Sequence, residues 1–324
     1  MFGVWDGHGP TGEFDSKLAR DAANTVANKI YETRILEWMP DNLRAASGLD
    51  FVQPASASSV PAELSEADLK GLIEFTNTTL LNTERSSKYE VDCGTTALVG
   101  LFTAVKGGNV SFEKRADRSH LVVANVGDSR AAIFHANENR NFPNLPKKGK
   151  FVTLSEDHDL TKQKELDRIK QCGGVVIKPK SNSKRVYPPK SDVTWEQVKK
   201  RSLSLNMSRS LGHCVLSKYG ISPTPEFNQV TIVSEGDIVV FASDGLWDIV
   251  EQSEIEKMVA SASDSGIAVN DLCRQLMKRV FQGNGKYSAE NTTIIVVKVS
   301  KADQEQSAAL PPSSVLAGKK RKAE

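Results

Sequence analysis

Two apolar runs in this chain stop at the same dipeptide. Phe2-Gly3-Val4-Trp5 ends at Asp6-Gly7-His8-Gly9, and Ile238-Val239-Val240-Phe241-Ala242-Ser243 ends at Asp244-Gly245. Short apolar runs closed by glycine read as buried strands. The glycine lets the chain turn sharply and lets the backbone approach a ligand closely. Each run therefore delivers a carboxylate to the end of a sheet. Taken alone, D-G-H-G is as readily an ordinary strand-to-loop turn. A third apolar run, Thr292 to Val299, follows Glu290-Asn291 and adds another carboxylate beside a strand. Acids at several strand ends, without clustered His or Cys, suit oxygen-seeking Mg²⁺ or Mn²⁺ better than zinc. Carboxylates that bracket two cations are what a two-metal hydrolytic centre requires.

Between these runs the pattern alternates between strands and paired helices. Leu18, Ala22, Val26, Ile30 and Ile35 recur at helical spacing and predict a helix from Glu13 to about Met39. Pro40–Pro61 has no sustained period and reads as a loop or insertion. Ser65 and Asp68 form a capping-box start for a second helix, with Leu69, Leu72, Ile73, Thr76 and Leu80 along one face. Thr95–Ala104, His120–Val126 and Arg130–Ala136 read as strands, the last two joined as a hairpin by Gly127-Asp128-Ser129. A helix is expected over Asp159–Gln171, stopped by Cys172-Gly173-Gly174, and a short strand follows at Val175–Ile177. Asn228–Val233 and Asp237–Ala242 read as a second hairpin. Helices over Ser253–Ala262 and Ile267–Phe281 precede the closing strand. Sequential strands with helices arriving in pairs give an α+β fold rather than a doubly wound parallel sheet.

Composition removes several function classes. With 39% hydrophobic and 25% charged residues and a formal charge of +2, the chain has the balance of a soluble globular protein. Nothing in it draws the protein to nucleic acid or membrane, and no apolar run approaches the ~20 residues that span a bilayer. Cys93, Cys172, Cys214 and Cys273 are scattered, as in a protein that keeps its thiols reduced. Where a thiol nucleophile's phosphate loop would close on Arg, Cys172 is followed by Lys178, and Cys93 and Cys214 have no Arg, which argues against that chemistry. Gly283-Asn284-Gly285-Lys286 is a P-loop fragment with Tyr287 where Ser or Thr is needed, which argues against an NTPase.

Seven short motifs occur in order: Phe2–Gly9, C-G-T-T-A at Cys93–Ala97, A-N-V-G-D-S-R at Ala124–Arg130, S-E-D-H-D-L at Ser155–Leu160, M-S-R-S-L-G at Met207–Gly212, S-D-G-L-W-D at Ser243–Asp248 and E-N-T-T at Glu290–Thr293. As a set they resemble the metal-dependent protein phosphatases of the PP2C (PPM) family, over roughly residues 1–300. The resemblance implies two stacked antiparallel sheets flanked by helix pairs, with residues 178–201 a flap-like insertion beside the active site. Residues 301–324 are expected to be a disordered, basic-ended tail. The implied reaction is hydrolysis of phosphoserine and phosphothreonine in phosphoproteins by a water activated between two Mg²⁺ or Mn²⁺ ions. The implied metal ligands are Asp6, the Gly7 carbonyl, Asp244 and Glu290, with Asp128 holding a weaker third ion and Asp248 in support. His8 is the implied proton donor, helped by an ordinary pKa near ~6.5. The expected state is a monomer in the cytoplasm or the nucleus, since Lys319-Lys320-Arg321-Lys322 is a weak import signal.

The chain departs from the family pattern at three places. Glu290 stands where an Asp ligand is usual, and His213 follows M-S-R-S-L-G where Asp is common. The family's opening strands, with a phosphate-binding Arg and a Glu-Asp pair, precede the D-G-H-G strand, whereas here Met1 stands inside it. The domain is therefore expected to lack its first strands, and a relative that binds phosphoproteins without turnover is the alternative. His120, His135 and His158 read as surface or loop residues, and Trp5, Trp195 and Trp247 as packing residues.

Overall fold

Strand Ala97–Ala104 shows how the layers are built. Its Ala97, Val99 and Leu101 pack in one cluster with helical residues Leu18, Ala22, Leu69, Ile73 and Leu80. Its Leu98 packs in another with Val239 and Phe241 of a second sheet. Successive side chains of a strand point to opposite faces. A strand buried on both faces must therefore be apolar throughout, which is why these runs lack clean alternation. The computed structural model describes residues 2–9, 13–30, 66–86, 92–104, 118–136, 151–179, 183–283 and 291–300.

The first large sheet holds β1 (Phe2–Val4), β4 (Ala97–Ala104), β5 (Arg118–Val126) and β11 (Glu226–Phe227), with β12 (Thr231–Ser234) also on β5. The second runs β14 (Ile294–Lys298), β13 (Ile238–Ala242), β6 (Arg130–Phe134) and β7 (Phe151–Thr153). A three-stranded ladder of β10 (Leu211–Gly212), β3 (Gly94–Thr95) and β2 (Gly7–His8) lies at one end. A separate hairpin pairs β8 (Val175–Ile177) with β9 (Arg185–Tyr187). All the pairings of named strands are antiparallel.

Val4, Leu98, Leu121 and Val123 of the first sheet meet Ala131, Ile133, Val239 and Phe241 of the second in one core. Outside the first sheet lie α1 (Glu13–Ile30) and α2 (Glu66–Ser86). Outside the second lie α5 (Asp244–Trp247), α6 (Gln252–Ser265) and α7 (Val269–Gly283), whose Leu246, Ile255, Val259, Leu272 and Leu276 cover Ala132, Phe134 and Val240. The result is the expected α+β arrangement, two stacked sheets between helix layers. A fourth core, of Leu160, Ile169, Val186, Leu205, Met207 and Leu216, joins α3 (Gln163–Gln171) to the β8–β9 hairpin. Helix α4 (Trp195–Arg201) follows that hairpin, started by a capping box between Thr194 and Gln197. No helix among the described residues is long and apolar enough to cross a membrane.

Both expected hairpins are instead crossings between sheets. β5 belongs to the first sheet and β6 to the second, so Gly127-Asp128-Ser129 carries the chain from one layer to the other. Gly127 does not enter a ladder with its neighbour strand; its N–H goes to His158 Nδ1 and its carbonyl accepts from His158 N. β12 and β13 are divided in the same way. There the buried Asp237 carboxylate accepts from the N–H groups of Ser234 and Ala136 and pairs with the buried His135. His135 is thus a core residue, not a surface one. The helix expected from Asp159 starts only at Gln163, because Asp159 bridges to Met207. The expected helix beyond Ile30, the loop Pro40–Pro61, Ser65, Glu290 and the tail lie outside the described residues.

A β-carbon on Gly100 would lie 2.4 Å from Phe241 Cζ, across the core between the sheets. Gly100→Ala is expected to lower stability by about 1–3 kcal/mol, the usual cost of overpacking, in urea unfolding at fixed m-value. Adding Phe241→Leu should recover part of that loss.

Candidate active site

Asp6 sits between β1 and β2, which belong to different sheets, and Thr96 sits between β3 and β4, which divide in the same way. The two residues close on each other. Thr96 N–H donates to the Asp6 carbonyl at 2.9 Å, and Thr96 Oγ1 accepts from Asp6 N–H at 3.0 Å. The expected single strand Thr95–Ala104 is therefore broken at Thr96. The same hydroxyl lies 2.8 Å from Ser129 Oγ. Gly127, at φ +109°, has room for no side chain because a β-carbon would lie 2.7 Å from the Thr96 methyl. The turns that carry Asp6 and Asp128 are thus joined through one threonine of the C-G-T-T-A motif.

Asp128 is the centre of an acidic group. Burial raises its carboxyl pKa well above the ordinary value, and the charges of Asp244, Asp157 and Asp248 raise it further. Arg130 is the neighbouring cation, bound to Asp157 through Nε at 3.0 Å and Nη2 at 2.5 Å. Its guanidinium lies 5.3 Å from the Trp247 ring centroid, and Trp247 Nε1 donates to the carbonyls of Arg130 and Ala242. Asp244 opens α5 straight after β13. Ser243 before it exchanges hydrogen bonds with Thr293 and donates to the Asn291 carbonyl, and Gly245 leaves space that Thr292 Oγ1 fills. The structure therefore brings Asp128 and Asp244 together and ties Asp6 to them through Thr96 and Ser129. Gly7 pairs with Thr95 in the small ladder. Among the described residues, no three His, Cys, Asp or Glu side chains are gathered tightly enough to hold an ion unaided.

His8 differs from its expected titration. Burial, with the His213 charge next, lowers its pKa to about 3, and Arg185 of the β8–β9 hairpin is near enough to lower it further. The ring is neutral at pH 7. Nδ1 lies 3.2 Å from the Asp6 carbonyl, which can only accept, so Nδ1 carries the proton and Nε2 accepts from Ser210 Oγ at 3.0 Å. One ring face stacks on His213, with centroids 4.9 Å apart. His213 is held in turn by a buried Asp92 carboxylate, 3.1 Å from its Nδ1, and adopts a left-handed φ of +54°. The replacement of Asp by His at this position thus supplies a ring beside His8. Gly94 is needed there, since its β-carbon would lie 2.5 Å from the His213 ring.

The M-S-R-S-L-G segment reaches the other turn as well. Buried Arg209 grips buried Glu165 through Nε at 3.1 Å and Nη2 at 2.6 Å, and also contacts Glu226 at 3.0 Å. Burial would raise the Glu165 carboxyl, but Arg209 and then Arg168 hold it at about 2.

Carboxylates of Asp128, Asp157, Asp244 and Asp248 thus gather where strands of the α-β-β-α sandwich end. The family model for protein phosphatase 2C matches residues 11–284, and the chain belongs to that family. It is 27% identical over 279 residues to the probable protein phosphatase 2C 52 of Arabidopsis thaliana, covering 83% of this chain and 53% of the relative. To the probable protein phosphatase 2C 72 of the same plant it is 25% identical over 307 residues, 94% of this chain and 78% of the relative. The chain spans about half the length of the first of these relatives. In fold it is similar to the crystal structure of a serine-threonine phosphatase 2C from Toxoplasma gondii, with TM-score 0.59 at 21% identity over 92% of this chain and 84% of that one.

The raised pKa of Asp128 makes its charge a cost of folding. The folded protein holds that proton more tightly than the unfolded chain, so stability is lost as pH rises through the raised value. In chelator at pH 7.5, Asp128→Asn should melt at a higher temperature than the parent. Adding Mn²⁺ should shrink or reverse the difference. An equal or lower melting temperature in chelator would contradict the assignment.

Proposed function

We propose that this protein is a divalent-metal-dependent phosphatase of phosphoserine and phosphothreonine in phosphoproteins. The observation that carries the reading is the crowding of Asp157, Asp244 and Asp248 about Asp128, with the Arg130 guanidinium bound to Asp157, next to the Asp6 turn. Their mutual repulsion is what a hard cation relieves, and an all-oxygen donor set suits Mg²⁺ or Mn²⁺. Family membership points to the same chemistry.

In this reading Asp6, the Gly7 carbonyl, Asp244 and Glu290 would hold two ions, and Asp128 a weaker third beside Asp248. The ions, when bound, supply the Lewis acidity that makes water a nucleophile at neutral pH and offset the charge on the phosphoryl oxygens. The chain does the rest. Thr96 fixes the Asp6 backbone from both sides, and the Ser243–Thr293 exchange fixes the entry to Asp244. His8 is held by the Asp6 carbonyl at Nδ1, by Ser210 at Nε2 and by the His213 ring. A phosphoryl dianion beside the ring would raise its proton affinity, so that His8 would take a proton from solvent water, leaving hydroxide, and pass that proton to the departing Ser or Thr oxygen. Arg185 and its basic neighbours in 178–201 attract the anionic substrate.

The test is turnover of a small aryl phosphate and of phosphoserine, phosphothreonine and phosphotyrosine peptides, with and without Mn²⁺. Activity should vanish in chelator, return with Mn²⁺ or Mg²⁺, and favour the first two peptides. Asp6→Asn or Asp244→Asn should each lower turnover by at least ~10²-fold, as loss of an anionic ligand from the water-activating centre requires. Near-normal rates in either variant would overturn the site. Tight phosphopeptide binding without turnover in the parent would favour the non-catalytic alternative.

A further inference from the structure

His158 is fully buried, lies outside the acidic group, and takes no part in the chemistry above. It holds both backbone polar groups of Gly127, and so the peptide units on either side of that residue. Its ring Nδ1 accepts Gly127 N–H at 3.0 Å, and its own backbone N–H donates to the Gly127 carbonyl at 3.0 Å. Asn125 Nδ2 donates to the same carbonyl at 3.2 Å. Because Nδ1 accepts, Nε2 carries the proton and donates to Glu226 Oε2 at 3.1 Å. Glu226 is anchored by buried Arg209 at 3.0 Å and by Lys164, and Arg209 is anchored by Glu165. The line therefore runs Glu165, Arg209, Glu226, His158, Gly127, and the next residue is Asp128.

The need for such a line is physical. Gly127 stands at φ +109°, where the chain leaves one sheet for the other and no ladder fixes it. Asp128 stands among like charges that push it away from Asp244, Asp157 and Asp248. A glycine hinge under repulsion swings unless its polar groups are held. From this geometry we infer that His158 is a positioning residue for Asp128, aiming that carboxylate at its cation by holding the N–H and the carbonyl of Gly127. It never touches the ion. A carboxylate behind a histidine fixes the ring's tautomer and orientation, the same logic that governs metal-bound histidines, here transmitted through a backbone N–H. The inference rests on the proposed metal reading of Asp128.

The experiment is Mn²⁺ titration of the full chain by calorimetry, with melting temperature recorded for each variant. Asp128→Asn should abolish the weakest binding event. His158→Ala should weaken that event by ~10–100-fold, the usual range for supporting residues at metal sites, and leave the tighter events unchanged. His158→Asn, whose Oδ1 can still accept from Gly127 N–H, should recover part of the loss. Glu226→Gln should shift the same event in the same direction by less, and it serves as the test if His158→Ala does not fold. If His158→Ala binds like the parent while Asp128→Asn loses the event, the positioning role is wrong. Weakening of every event equally, with no recovery in His158→Asn, would also overturn it, because it would mark a loosened fold. If Asp128→Asn leaves every event intact, the metal reading of Asp128 falls and the inference falls with it.

Discussion

The acidic end of this molecule depends on a two-way bond between Asp6 and Thr96. Each residue lies where its chain segment crosses between a large sheet and the small ladder, from β1 to β2 in one case and from β3 to β4 in the other. Two strands that part company at the same level must break their ladder together, and broken ladders leave buried N–H and C=O groups. Here the Asp6 amide is satisfied by the Thr96 hydroxyl and the Asp6 carbonyl by the Thr96 amide. Without the hydroxyl, the Asp6 N–H would lose its partner at a cost of about 1–3 kcal/mol. The same oxygen reaches Ser129 and so sets the Asp128 turn relative to the Asp6 turn. One side chain thereby registers carboxylates delivered by distant parts of the sequence.

A second support comes from the Ser208–Ser210 stretch. Ser208 Oγ lies within hydrogen-bond distance of Glu165 and of the His158 carbonyl, Arg209 binds Glu165 and Glu226, and Ser210 reaches His8. The Glu165–Arg209 pair is almost wholly withdrawn from water. A buried pair of this kind is weak testimony to stability, since desolvation offsets the attraction. Its service here is orientation: Arg209 fixes Glu226, and through it the His158 ring. Breaking the pair would strand a buried charge, which costs far more than the pair contributes.

Much of this is legible in the amino-acid sequence. Apolar runs closed by Asp-Gly located Asp6 and Asp244 at strand ends, and the helical stripes of α1, α2, α6 and α7 are the faces that cover the sheets. What escaped notice depended on long-range partners. Three-residue connectors after β5 and β12 look like hairpins, because nothing local says that His158 and Asp237 take the polar groups a hairpin would pair. His135 and His158 looked like loop residues because their carboxylate partners, Asp237 and Glu226, lie far along the chain. Thr96 was hidden inside a β-branched run that strand propensity explains without a break. The C-G-T-T-A motif did mark it, since a buried threonine hydroxyl needs a partner.

The most direct test of this account is Mn²⁺ affinity after removal of the Thr96 hydroxyl alone. Thr96→Val keeps the branched shape and the backbone N–H but leaves Asp6 N–H and Ser129 without their shared oxygen. Thr96→Ser keeps that oxygen. Affinity measured by calorimetry should fall by ~10-fold or more in Thr96→Val, as loss of a supporting contact does at metal sites. It should stay close to the parent in Thr96→Ser. A Thr96→Val protein that binds Mn²⁺ as tightly as the parent would contradict the claim that this threonine holds the acid-bearing turns in one site.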